Sequence, residues 1–184
     1  MAKTELLGIG DMRAHFTHLR QDMQTRTGRQ MVVAAGGVLK RKAKEIAQAN
    51  GSRLTGAMIK NIAIKRERGA PPGTEQYHLG VRHGRNLSSK ARKNTHLAVS
   101  GRGRIVERYA DDPYYWKWVE LGHQVVPRQP NKGRKKSWKT RRAAATATVP
   151  GKPFIGPALE QGRAEAIAAM ERRLQQTLAK AGAA

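Results

Sequence analysis

Four aromatic side chains, Tyr114, Tyr115, Trp116 and Trp118, fall within five consecutive positions of a chain that holds only three Trp, four Tyr and two Phe. This concentration, inside the stretch DDPYYWKWVELGH from Asp111 to His123, constrains the fold more than any other feature, because large aromatics have to be covered by something. Asp112 followed by Pro113 reads as a helix start, since the carboxylate can accept an orphan backbone N–H and proline's fixed φ suits a first turn. Gly122 reads as the stop. Between them Tyr115 and Val119 share one face, while Tyr114, Trp118 and Leu121 share another. The spacing predicts a short helix over 111–123 that is apolar on nearly all sides. Such a helix belongs in a core, or between the domain's own sheet and a neighbouring subunit.

The remainder of the 184 residues reads as one α+β domain arranged around that stretch. Ile9, Met12, Phe16, Leu19 and Met23 step by three and four, as do Met31, Ala35, Val38, Leu39 and Ile46, so residues 1–50 form a helical segment closed by Asn50-Gly51. Residues 52–82 read as a loop, a helical turn and a β-hairpin. Ile62 and Ile64 alternate with polar neighbours, Pro71-Pro72-Gly73 turns the chain, and Tyr77, Leu79 and Val81 alternate again. Residues 83–108 read as a long basic loop carrying Arg85, Lys90, Arg92, Lys93, Arg102 and Arg104, with room for a short strand at Leu97–Val99. Residues 128–148 read as a basic arm containing Arg128, Lys132, Arg134, Lys135, Lys136, Lys139, Arg141 and Arg142 and no acid. That run stays extended until a polyanion or a neighbour orders it. Trp138 in its midst can stack on a base or dock in a partner's pocket. Ala143–Val149 is a candidate last strand. A C-terminal helix over 153–181 has Pro157 in its first turn and a stripe of Leu159, Ile167, Met170, Leu174 and Leu178. The expected architecture is N- and C-terminal helices packed on a small, mostly antiparallel sheet, with long basic loops or arms.

Thirty-six Lys and Arg against thirteen Asp and Glu leave a formal charge of +23, and a charge of that size calls for a polyanion nearby. Nucleic acid is the commonest such partner. A membrane is the weaker case, since no apolar run approaches the ~18 residues of a spanning helix and MAKTELLGIG lacks a secretory apolar region, so a cytoplasmic origin is expected. Without cysteine there are no disulfides, thiolate-bound metals or thiol catalysis. No phosphate-binding loop, His-Glu-x-x-His or complete dinucleotide fingerprint is present, and GRGRIVE after Ser100 lacks the rest of one. The nearest paired carboxylates, Asp111 and Asp112, are explained by capping, whereas a metal-dependent nuclease needs several converging acids. His15 and His18 have a metal-compatible spacing but no accompanying carboxylate cluster. Glu120, flanked by apolar residues, reads as the buried or interfacial partner of an arginine rather than as a general base. The chain is expected to be no enzyme, with no catalytic residue, metal or cofactor.

The paired N-terminal helical segment, RLTGAMIKNI, YYWKWVELGH and KPFIGPALEQ, taken in that order, resemble the tail-completion and neck proteins of long-tailed bacteriophages, which join the tail to the head. The resemblance runs from about Leu19 to Leu178. It rests on Tyr115, Val119, Glu120 and Gly122, then on Lys152, Pro153, Phe154, Pro157, Ala158 and Leu159. The two basic links, over 83–104 and between Gly122 and Lys152, are longer than the family's compact ones. What the resemblance implies is a non-enzymatic virion subunit. It would form a homo-oligomeric ring, six-fold as is usual in the neck, around the path of exiting DNA, touching other neck and tail proteins and packaged DNA through phosphates but no membrane. Tyr114, Tyr115, Trp116, Trp118, Glu120, Phe154 and Pro157 would then lie in the core or at the subunit interface, and the basic loop and arm would face DNA or grip a neighbour. Charge alone favours a different reading, a free-standing nucleic-acid-binding protein. A toxin or nuclease with an acid-poor site is a third.

Overall fold

The computed structural model describes residues 9–51, 56–101, 103–129, 135–145 and 147–182. In chain order the elements are α1 (Ile9–Asp22), a π-helical turn (Met23–Thr27), α2 (Gly28–Ala49), α3 (Ala57–Asn61), β1 (Ile62–Arg66) and β2 (Tyr77–Val81). A 3-10 turn (Gly84–Asn86) and α4 (Ser89–Lys93) lead to β3 (Thr95–Val99), β4 (Ile105–Tyr109) and α5 (Trp116–Leu121). β5 (His123–Val125), α6 (Trp138–Ala143), β6 (Ala147–Val149) and α7 (Ile155–Gly182) complete the chain. The fold is α+β with helices at both ends. Among the described residues the strands form three separate two-stranded ribbons, β1-β2, β3-β4 and β5-β6, where one small sheet was expected.

The chain divides into two compact units, one of residues 1–39, 64–79 and 162–184, the other of residues 40–63 and 80–161. In the first, Ala35, Val38 and Ala166 form a buried cluster with Leu39, Ala169 and Met170 packed against it. Small residues carry the contact. Along α7 the buried positions are Ala158, Gly162 and Ala166, while Leu159, Ile167 and Leu178 of the expected stripe are exposed. On α1 Met12 and Phe16 are also exposed. The side chains of Ile9, Leu19 and Met23 lie outside the described part. At Gly36 a Cβ would stand 3.0 Å from Ile64 Cδ1, so a side chain there would press on β1. In the hairpin, Glu75 receives two hydrogen bonds from Arg66 at 2.8 and 2.6 Å and one from Arg29 at 3.4 Å. That pairing holds the Glu75 carboxyl below its ordinary value, with Arg66 the main cause.

The second unit holds the larger core. Phe154, Met58, Ile62 and Pro113 are its largest fully buried side chains, joined by Ala43, Ala47, Ile59, Val81, Leu87 and Ala158. Asn61 is buried as well, and its Nδ2 donates to Ala57 O at 2.9 Å and Asp111 O at 3.2 Å. Asp111 Oδ2 accepts from Asn94 and Asp112 Oδ1 from the backbone of Gly84. These bonds correct the reading of 111–123 as one capped helix. The two aspartates hold Asn94 and Gly84, earlier in the chain, instead of starting a helix, Asp111 and Tyr114–Tyr115 lie in turns, and α5 begins only at Trp116, with Tyr115 at its N-cap position.

The basic loop expected over 83–108 is mostly regular structure. Ser88 caps α4 by accepting from Ala91 N, and β3 pairs with β4 in an antiparallel register that runs from Thr95 opposite Tyr109 to Val99 opposite Ile105. Ser100 closes the turn, its hydroxyl accepting from Arg104 N. The arm over 128–148 is likewise not extended throughout. Ser137 caps α6, and β6 pairs with β5 from His123 opposite Val149 to Val125 opposite Ala147. Arg102, Lys132 and Arg134 lie outside the described residues.

Candidate assembly site around Glu120

The two motif halves separated by about thirty residues meet at one point. Glu120 Oε2 accepts from Phe154 N at 2.9 Å, Oε1 accepts from Ile155 N at 3.1 Å, and Gly156 N stands 3.5 Å from Oε1. The carboxylate therefore caps the N-terminus of α7, where orphan N–H groups and the helix dipole both favour a negative charge. This corrects the expectation of an arginine partner. Lys152 N donates to Val119 O at 2.7 Å, Lys152 Nζ donates to Asn50 O at 3.0 Å, and Asn50 Nδ2 donates to Pro153 O at 3.0 Å. The end of α2, the end of α5 and the start of α7 are thus tied through main-chain atoms. Phe154, wholly buried, sits on the tied segment, with Pro157 half-buried one residue before the buried Ala158.

Glycine is required on both sides of this clasp. A Cβ on Gly122 would lie 2.6 Å from Val149 O and 2.7 Å from Gly151 N, and one on Gly151 would lie 2.6 Å from Glu120 O. Gly122 also has φ +76, a conformation that suits glycine. Gly151 does not stand out in the sequence, and Asn50 reads only as the end of a helix. Pro150-Gly151 signals a turn, but nothing local says that the turn touches Gly122.

The aromatic residues are arranged differently from the expectation. No residue of α5 is buried. Tyr114 is 65% and Trp118 53% exposed, stacked edge-on at 6.0 Å. Tyr114 also meets Tyr115 edge-on, and Trp116 lies tilted against His83. Pro113, before the aromatics, takes the core position. Trp118 and Trp138 line a cavity of about 380 Å³ with His123 and Arg142. The Arg141 guanidinium lies 5.5 Å from the centre of the Trp138 ring and donates to Pro127 O. In the arm, Lys136 exchanges two hydrogen bonds with the Gln129 side chain through its own backbone, and its ammonium group, like Arg128, Lys135, Lys139 and Arg142, is on the surface. Arg85, Lys90, Arg92, Lys93 and Arg104 are exposed on and around α4 and the β3–β4 hairpin.

That hairpin carries an exposed apolar face. Leu97, Val99 and Ile105 fall on one face of the ribbon and are 75%, 69% and 73% exposed. Among the described residues, no group of three or more acidic or histidine side chains could hold a metal ion, and no helix is long and apolar enough to cross a membrane. His15 and His18 are exposed on α1. No known family, curated protein or solved structure matches this chain.

Proposed function

We propose that this protein is a structural subunit of the neck of a long-tailed bacteriophage, completing or joining the tail at the head by assembling as a ring around the DNA exit path. The observation that carries the assembly reading is the β3–β4 hairpin, a two-stranded ribbon with Leu97, Val99 and Ile105 exposed on one face. A two-stranded hairpin is marginally stable by itself, and a face of this kind is normally covered by a partner. The phage reading draws on the Val119-Glu120-x-Gly122 and Lys152-Pro153-Phe154 motifs. Both belong to one main-chain clasp, which gives their joint presence a structural reason and commits the Glu120 carboxylate to capping rather than chemistry. Exposed cations on α4 and the arm supply the sequence-independent phosphate attraction that a DNA conduit needs.

The alternative, a free-standing nucleic-acid-binding protein, is favoured by the net charge of +23 alone. Native mass spectrometry of the full chain, with and without duplex DNA, separates the two. A closed homo-oligomer that forms without DNA and is lost in a Leu97→Ser, Val99→Ser, Ile105→Ser variant is the expected result. A chain that remains monomeric alone and coats DNA as monomers would replace the neck reading by the alternative.

A further inference from the structure

The first unit holds a cleft that neither basic link contributes to. Arg26 and Thr27 on the π-helical turn, Gln30 on α2, and Arg173, Gln176, Thr177 and Lys180 on α7 surround a cavity of about 330 Å³. Arg173 is half-buried there, and its guanidinium donates to Gln30 Oε1 at 2.9 Å and to Gln176 Oε1 at 3.2 Å. A guanidinium has only donors, so both glutamines must turn their oxygens to it, leaving their NH₂ groups as the free polar ends. Arg29 and Arg66, in the same unit, are instead paired with Glu75. Among the described residues, no carboxylate lines the cleft. A fixed arginine hydrogen-bonded to neutral amides, with a second arginine, a lysine and amide donors around it, is the chemistry of an oxyanion site. The π-helical turn is a second pointer, because such turns interrupt regular helices mostly where a side chain is aimed for a task.

We propose that this cleft binds a phosphate group, free or borne on a nucleic-acid backbone. Arg173 supplies the oriented fork, Arg26 and Lys180 add charge at the rim, and the anion relieves the repulsion among three neighbouring cations. The proposal does not depend on the neck reading, since it concerns the isolated subunit and its test does not use oligomeric state.

The test uses the full chain and two probes. Arg26→Gln/Lys180→Gln removes two exposed rim charges and leaves the Arg173–glutamine hydrogen bonds in place. Arg163→Gln/Arg172→Gln removes the same charge from exposed positions of α7 outside the cleft and serves as the control. Inorganic phosphate, compared with chloride at equal ionic strength, should raise the Tm of the parent and of the control but not of the rim variant. Binding of a random-sequence duplex should show a plot of log K against log salt shallower by about 1.8 in the rim variant, at about 0.9 for each DNA phosphate that the protein no longer neutralises. Loss of the phosphate-induced Tm shift with an unchanged slope supports the site and identifies a free anion as the ligand. A parent unaffected by phosphate, or a rim variant that keeps the shift, overturns the proposal.

Discussion

Replacing Glu120 by Gln tests the clasp with almost no change of shape. The carboxylate serves Phe154 N through one oxygen and Ile155 N through the other, at 2.9 and 3.1 Å. A carboxamide has a single acceptor oxygen, so in the place of Oε2 it would keep Phe154 N and leave Ile155 N only the longer of its two contacts, at 3.3 Å. Losing the charge at the helix N-terminus costs about 0.3–1 kcal/mol. Weakening that partly buried hydrogen bond costs about 0.5–1.5 kcal/mol more. We therefore expect a loss of about 1–2.5 kcal/mol, which corresponds to roughly 2–10 °C in Tm for a chain of this size. Urea unfolding followed by tryptophan fluorescence is the suitable assay, because Trp118 lies on α5 two residues from the clasp. Glu160→Gln, an exposed position in the second turn of α7, is the matched control and should change stability by less than about 0.5 kcal/mol. If Glu120→Gln unfolds within that same margin of the parent, the cap does not hold α5 to α7 and the physical account of the motif pair fails.

Phe154→Ala should cost about 3–5 kcal/mol in urea unfolding, since the ring is wholly buried, whereas Trp118→Ala should cost no more than about 1.5 kcal/mol, because over half of its surface is exposed. Gly151→Ala should destabilise by about 1–3 kcal/mol or abolish soluble expression, as its Cβ would meet the Glu120 carbonyl at 2.6 Å, and a variant as stable as the parent would contradict the close crossing. Acid unfolding should draw on the first unit. Glu75 is held below the ordinary carboxyl value of 4.5 mainly by Arg66, and Glu67 mainly by the Gly69 N–H and then by His78. Their contribution is fully present above about pH 4.5 and lost as pH falls through the depressed folded values, so Glu75→Gln should lower stability at neutral pH and flatten its decline below about pH 4.5.

The parts of the fold that were legible in the sequence are those whose signal comes from one buried face. α2 and the β1–β2 hairpin have such a face, with Ala35, Val38 and Ile62 buried where periodicity placed them. The β3–β4 hairpin lacks a covered face in the single chain. Its aliphatic residues point outward and the alternation that marks a half-buried strand is weak, so the segment reads as a loop. On α7 the leucine stripe misleads because hydrophobicity ranks leucine above alanine, whereas the α7 residue buried in the cluster with Ala35 and Val38 is Ala166. The candidate site was half legible. Glu120, Gly122 and Phe154 stand out locally, but Gly151 and the role of Glu120 depend on a crossing between segments about thirty residues apart, which no window of sequence contains.

That crossing gives the chain an appendage with a closed base. The stretch from β5 through α6 to β6 leaves the clasp at Gly122 and returns to it at Gly151, where the two backbones are in contact. The entropic cost of closing the loop is met at its neck by the clasp, and it grows only slowly with the length of chain beyond. The excursion is therefore an interchangeable cassette. Changes in its length or charge are expected to leave the helix cap, the buried Phe154 and the core beneath them in place.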